Sequence, residues 1–222
     1  MVYYFGAMNE KLRKKTEAFF LQFPLINLKK GDAVVEADKN LDEVYYLKKG
    51  YVREYTFSSQ GVELTLHVFA PGSYFPMTDA LAGVRNRYYY EALTPIELYA
   101  TAKEKMLDFF RGEPDIVLDL TRRLLLGLDK LLMRIEYLAF GKAEARVVST
   151  LLYLARHFGT EKNKGVQIQY LFTHRDIASF AGISRETTSR EIEKLVKKKV
   201  IEYKKHLLTI KNLEILKKQG GM

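Results

Sequence analysis

The stretch from Phe172 to Lys199, FTHRDIASFAGISRETTSREIEKLVKKK, constrains the fold more than any other part of the chain. It reads as two short helices around a tight turn at Ala181-Gly182-Ile183. Thr173 and Asp176 have the spacing of a capping box for the first helix, whose small apolar face is Ile177, Ala178 and Ala181. Gly182 suits a turn with positive φ, and Ser184 is a good N-cap for the second helix. There Ile192, Leu195 and Val196 form an apolar stripe at helical spacing. Glu186, Ser189, Arg190 and Glu193 share another side, with Arg185 in the first turn. A helix that packs by one face and displays Arg, Glu, Ser and Arg near its N-terminus can read a DNA major groove. The same residues suit an ordinary helix pair with a solvated charged face, and the stretch alone leaves both readings open.

Charge placement favours the first. Residues 1–140 carry 19 Lys+Arg against 19 Asp+Glu, and residues 141–222 carry 17 against 8, so the whole net charge of +9 lies with the helix pair. A basic C-terminal part joined to a neutral N-terminal one points to a polyanionic partner. The absence of cysteine excludes disulfides, thiolate chemistry and cysteine-ligated zinc or iron–sulfur clusters. No apolar run approaches the ~18 residues of a membrane span, and the N-terminus lacks a secretory apolar core. A soluble, cytoplasmic protein with no membrane partner is expected.

In chain order, Asn9–Phe20 suits a short amphipathic helix. From Gly31 the period changes to that of strands: Asp32–Ala37, Glu43–Lys49, Val52–Phe57, Glu63–Ala70, Arg87–Leu93 and Ile96–Thr101 are short, rich in Val, Tyr, Leu and Phe, and separated by turn residues. Gly31, Gly50, Gly61 and Gly72 punctuate them as in a compact antiparallel barrel or roll. In Glu63–Ala70 the alternation turns Leu64, Leu66 and Val68 one way and Glu63, Thr65 and His67 the other. Lys103–Phe110 reads as a short helix and a long one begins near Glu113-Pro114-Asp115. Along it Leu118, Thr121, Leu125, Leu128, Leu132, Ile135 and Ala139 recur at alternating steps of three and four, a heptad seam for a two-stranded coiled coil and hence a homodimer. Burial within the monomer is the competing explanation of this seam. Leu124 and Leu131 widen the apolar face towards the chain's own β domain. Gly141 suits a hinge, Ala143–Phe158 another amphipathic helix, Gly159–Gly165 a polar surface loop and Val166–Leu171 a strand. Ile201–Tyr203 and Leu207–Ile210 flank Lys204-Lys205-His206 as a hairpin wing.

With these parts in place, the sequence resembles the CRP/FNR family of bacterial transcription regulators over nearly its whole length. The resemblance is carried by Gly31-Asp32, Tyr46-Leu47-Lys48-Lys49-Gly50, Gly61 and Pro71-Gly72, and most specifically by Ile183-Ser184-Arg185-Glu186-Thr187-Thr188-Ser189-Arg190. It implies an α+β fold: a cyclic-nucleotide-binding-like β-roll over residues 1–112, a dimerisation helix and hinge over 113–140, and a winged helix-turn-helix over 141–222. It implies double-stranded DNA as partner, with Arg185, Glu186, Ser189 and Arg190 at the base edges. The chemistry agrees, since an arginine fork can bond guanine O6 and N7 and a glutamate can accept from cytosine N4. Thr173, Arg175, Ser184, Thr187, Lys204 and Lys205 are placed to hold phosphates. A symmetric dimer would meet an inverted repeat with half-sites about one helical turn apart, ~34 Å, each with a TGTGA- or TTGA-like core. Where this chain has Ser189 the cyclic-AMP branch carries a small residue; the FNR branch carries Ser there but lacks an Arg matching Arg185. Gly159–Gly165 lies where family activators touch RNA polymerase, a further expected partner.

The sensor end departs from the cyclic-AMP pattern. Gly72-Ser73-Tyr74-Phe75-Pro76-Met77 has no acid where that branch places a glutamate, and Arg85-Asn86-Arg87-Tyr88 lacks its Arg-Ser pair. Leu131-Leu132 replaces the Thr-Ser pair that contacts adenine, leaving the base edge unsatisfied. Cyclic AMP is therefore not the expected effector, and no cofactor is expected. His67, on the polar face of a strand, suits a surface position better than a haem ligand. Met77, Arg85, Arg87 and Leu131 mark the candidate effector pocket. The two arginines could hold an anion beneath Tyr88, Tyr89 and Tyr90 or simply be solvated beside core tyrosines. A ligand-binding module acting through protein partners, with a vestigial DNA-binding domain, is the alternative function; Arg185, Glu186, Arg190 and the basic charge weigh against it. An enzyme is not expected: the sequence shows no paired carboxylates at a defined spacing, no Ser/His/Asp constellation, no HxxxH spacing and no phosphate-cradling glycine loop.

Overall fold

The computed structural model describes residues 9–39, 41–162 and 165–220, the side chains at 130, 133 and 137–140 lying outside that description. The chain forms two compact units. Among the described residues, one contains those up to Thr56 and residues 65–126, the other residues 57–64 and those from Gly127.

In the first unit the order is α1 (Glu10–Phe20), β1 (Leu25–Leu28), β2 (Ala33–Val35), β3 (Glu43–Lys49), β4 (Val52–Phe57), β5 (Glu63–Phe69), β6 (Tyr74–Phe75), α2 (Met77–Ala82), β7 (Tyr89–Ala92), β8 (Ile96–Ala102), α3 (Lys103–Gly112) and the start of α4 (Pro114–Phe140). Asn9 caps α1 by accepting from the Lys11 amide at 2.9 Å. Two four-stranded sheets form, ordered β1-β8-β3-β6 and β2-β7-β4-β5. Side chains alternate along a strand, so β3 feeds two cores. Its Val44 and Tyr46 join Phe20, Tyr74, Tyr99, Met106 and Phe110, with Ile116 and Leu120 of α4. Its Tyr45 and Leu47 meet Val35, Val52, Phe75, Tyr90, Ala92 and Leu98, drawn from both sheets. Burial on both faces explains why β3 reads as an almost continuous apolar run. Each such side chain contributes roughly 1.5–3 kcal/mol by leaving water.

The period-two pattern predicts β3 and β4 at their observed bounds. It misses β1, β6 and α2, the last two too short to show a period. It also misplaces Thr65, which is fully buried rather than turned outward, because burial along β5 does not follow strict alternation. His67 is half-buried and stands edge-on to Phe69, ring centroids 4.6 Å apart, rather than lying on an open polar face.

Gly50 turns β3 into β4 at φ +84°, and a Cβ there would stand 2.4 Å from the Pro95 carbonyl oxygen. Gly50→Ala is expected to destabilise this unit by roughly 3 kcal/mol, combining left-handed strain with a clash that backbone cannot relieve. A thermal unfolding midpoint within a degree of the parent would contradict this.

Helix α4 starts where Pro114 has no amide to leave unpaired, and the Glu113 carbonyl accepts from the Ile116 and Val117 amides at 3.0 and 3.3 Å. Along it Leu118, Leu125, Leu128, Leu132 and Ile135 are 50–70 % exposed, and Thr121 is exposed as well. The Ala139 side chain lies outside the described residues. Leu124 is also exposed, contrary to the expectation that it faces the β domain of its own unit, and Leu131 is exposed too. Leu124 continues the i, i+4 row of Ile116 and Leu120, but the core which that row enters ends at Leu120. No helix among the described residues is long and apolar enough to cross a membrane.

The second unit continues with α5 (Ala143–Phe158), β9 (Gly159–Lys162), β10 (Gly165–Ile168), α6 (His174–Ala181), α7 (Arg185–Lys197), β11 (Ile201–Lys204), β12 (Leu207–Ile210) and α8 (Leu213–Gln219). The strands form one sheet in the order β11-β12-β10-β9. Gly159–Lys162 is thus an edge strand paired with β10, not loop as expected; positions 163 and 164 of that segment lie outside the described residues. Val147, Leu151 and Leu154 of α5, Ile177 of α6 and Ile192 and Leu195 of α7 are buried together with Ile168, Leu208, Ile210 and Leu216. Arg134 Nη2 on α4 donates to the Phe180 carbonyl at the end of α6, 2.8 Å away.

Candidate nucleic-acid interface

Helices α6 and α7 are each set by a cap that the sequence supplies. At α6 the Asp176 amide donates to Thr173 Oγ1 at 3.1 Å, and Asp176 Oδ2 accepts from the Thr173 amide at 2.7 Å, closing the capping box. Gly182 then ends α6 in the left-handed region at φ +62°. At α7 the Thr187 amide donates to Ser184 Oγ at 3.1 Å, and the Ser184 hydroxyl donates to Thr187 Oγ1 at 3.0 Å. The buried side of α7 is Thr188, Glu191, Ile192 and Leu195. That packing leaves Arg185, Glu186, Arg190 and Glu193 exposed, three of them the expected base contacts. Arg190 Nη2 donates to Thr187 Oγ1 at 3.3 Å, so its guanidinium is already steered along the helix.

Ser189, the fourth expected base contact, differs. It is half-buried, and its Oγ lies 2.7 Å from His174 Nδ1. The His174 ring stacks on Tyr203 of β11 at 4.7 Å and 30°. Tyr203 in turn donates its hydroxyl to the Phe172 carbonyl at 2.7 Å and lies 3.1 Å from His206 Nδ1. Burial lowers the pKa of His174 from 6.5; Glu193 pulls it back up, while His206 and Arg185 push it further down. The wing is therefore docked onto α6 through the stack of Tyr203 on His174. No sequence signal reveals this group, because it exists only once β11 lies over the helix pair.

Of the expected phosphate contacts, Thr173 and Ser184 are occupied as caps and Thr187 joins the Ser184–Arg190 group. Arg175, Lys204 and Lys205 are exposed. Lys204 pairs with Glu202 across 2.5 Å, and the carboxylate's hydrogen bond raises the lysine pKa. Lys205 and His206 form the two-residue wing turn with φ +49° and +64°, the both-positive geometry of a tight hairpin, here without the usual Asn-Gly.

The candidate effector residues are less concerted. Arg85 is exposed, and its guanidinium Nε donates to the Asp38 carbonyl at 3.1 Å, tying the segment after α2 to the β2–β3 loop. Buried Asn86 pins the same loop, donating to the Tyr88 carbonyl at 2.7 Å. Arg87 is exposed. Met77 packs against the core around Phe20, and Leu131 belongs to the other compact unit. The three tyrosines do not share one surface: Tyr90 is buried and donates to Glu54 Oε1 at 3.1 Å, whereas Tyr89 stacks on Tyr55 at 5.3 Å. Burial raises the Glu54 pKa, partly offset by the Tyr90 hydroxyl.

Residues 145–219 match the model of a Crp-like helix-turn-helix domain, and residues 25–113 that of a cyclic nucleotide-binding domain. The chain is 30% identical over 180 residues to the Global nitrogen regulator of Nostoc sp. (strain PCC 7120), covering 80% of this chain and 81% of that one. It is 28% identical over 201 residues to Transcriptional regulator SdrP of Thermus thermophilus, covering 88% and 95%. Among solved structures, a transcriptional regulator of the CRP/FNR family, also from Thermus thermophilus, superposes with a TM-score of 0.74 at 26% identity, over 90% of this chain and 99% of that one.

Proposed function

The chain belongs to the CRP/FNR family of transcription regulators, DNA-binding proteins with a helix-turn-helix, and from that premise we propose that it binds an inverted-repeat operator as a homodimer without cyclic AMP. The observation that carries this reading is the exposed face of α7, where Arg185, Glu186 and Arg190 stand clear of the core on a helix capped by Ser184. In a major groove they present two bidentate donors and one acceptor. Arg175, Lys204 and Lys205 supply cationic backbone contacts, and Thr187 a hydroxyl, while the Thr173 and Ser184 hydroxyls are spent on Asp176 and Thr187. The exposed leucines of α4 supply the second copy's docking seam.

We divide the chain functionally into an effector-type roll over 1–112, a dimerisation helix and hinge over 113–140 and the DNA reader over 141–222. We assign it no catalytic activity, place it in the cytoplasm with its DNA, and take RNA polymerase as its further partner. Independence from cyclic AMP is supported by Met77 and by Leu131-Leu132, where that ligand needs polar partners, and by Arg85, already engaged by Asp38.

Selection of bound duplexes from a random pool, followed by titration of the selected site, tests the reading. Three cationic phosphate contacts per protomer in a symmetric dimer predict a log–log salt slope of about −5. A slope near zero would exclude phosphate-driven binding. Added cyclic AMP is expected to leave the affinity unchanged, and a tenfold increase would refute the assignment of the sensor end.

A further inference from the structure

Ser189 lies on α7 one turn beyond Arg185 and beside Arg190, yet its hydroxyl is not simply open to solvent. Its Oγ is 2.7 Å from His174 Nδ1. A neutral imidazole carries one proton, on either nitrogen. His174 Nε2 is buried, with no hydrogen-bond partner among the described residues. An N–H buried without an acceptor is costlier than a bare nitrogen in the same place. The proton therefore belongs on Nδ1, which donates to Ser189 Oγ. A serine hydroxyl has one hydrogen and two lone pairs, so accepting from His174 leaves Ser189 with its hydrogen free to donate away from the ring.

We propose that His174 is a positioning residue for DNA specificity: by donating to Ser189 it turns that serine into a hydrogen-bond donor toward the major groove, and the pair excludes cytosine at one position of each half-site. Thymine O4 and guanine O6 or N7 accept from such a donor, whereas the cytosine edge offers only the N4 amino donor. Tyr203 completes the device by stacking over the imidazole at 4.7 Å while its own hydroxyl is held by the Phe172 carbonyl. The inference rests on the reading of α7 as the base-reading helix.

The test is selection of bound duplexes with the full chain carrying His174→Phe, His174→Asn, Ser189→Ala, or His174→Phe with Ser189→Ala. Phenylalanine keeps the ring over Tyr203 and removes the donor, and the asparagine amide restores a donor near the Nδ1 position. The parent is expected to disfavour cytosine at one position about tenfold. His174→Phe and Ser189→Ala should each abolish that preference, the double variant should lose no more than either, and His174→Asn should recover it. Affinity for random duplex DNA and the salt slope should not move. Undiminished cytosine exclusion in His174→Phe overturns the proposal. So does a uniform loss across all sequences with the salt slope reduced by about one, which would make His174 a phosphate contact. If His174→Phe does not fold, Ser189→Ala decides alone: unchanged base preferences defeat the proposal. Failure of the underlying reading is a separate result, in which substitutions at Arg185 and Arg190 also leave every base preference intact.

Discussion

Leu128→Lys is expected to sediment as a monomer at concentrations where the parent is a dimer, and to lose tight operator binding with it. Leu128 is 51% exposed in the single chain, near the middle of the α4 seam. Two-fold symmetry puts each substitution into the interface twice. An unpaired ammonium buried there costs about 3–5 kcal/mol, and two like charges facing each other repel as well. The dimer dissociation constant should rise by at least roughly a thousandfold. Helix α4 itself should survive, because lysine is a good helix former and the residue is exposed in the monomer. A parent-like sedimentation coefficient together with parent-like circular dichroism would refute the seam.

Arg190→Ala should produce the largest change in sequence discrimination. Its guanidinium is exposed, with Nη2 donating to Thr187 Oγ1 at 3.3 Å, and its planar fork suits a guanine edge. A bidentate arginine–guanine pair is worth about 1–3 kcal/mol of discrimination, and a symmetric operator uses it twice. The expected loss for the selected site is therefore ~2–6 kcal/mol, roughly 30-fold to 10⁴-fold in affinity. Binding to random duplex DNA should change far less. Base preferences in Arg190→Ala that match the parent at every position would remove this residue from the interface.

The reader was legible in the sequence because its determinants are local. Thr173 with Asp176, Gly182 and Ser184 are cap and turn signals that act over three or four residues, and the helices start and stop where they stand. The wing strands and α5 have apolar periods clear enough to bound. Strand β9 was not legible: Gly159–Lys162 is an edge strand with polar residues throughout, held by its β10 partner rather than by any apolar face. Helix α8, capped by Asn212, is only seven residues long and gains its place by burying Leu216. The orientation of Leu124 is not legible either, because a helical stripe tells which side is apolar, not where the neighbouring core stops. Likewise the bond between His174 and Ser189 joins residues fifteen apart on different helices, which no local pattern encodes.

The wing turn has a consequence for anyone wishing to toughen the protein. Lys205 and His206 both occupy the left-handed region without being glycine or asparagine. Replacing them by Asn-Gly would relieve strain of about 1 kcal/mol per residue, and a screen for heat resistance should find this pair early. The same exchange removes a cation and the imidazole that meets Tyr203. Heat-selected variants at this turn should therefore be sturdier proteins that hold their operators less tightly, with activity exchanged for durability at a hairpin two residues wide.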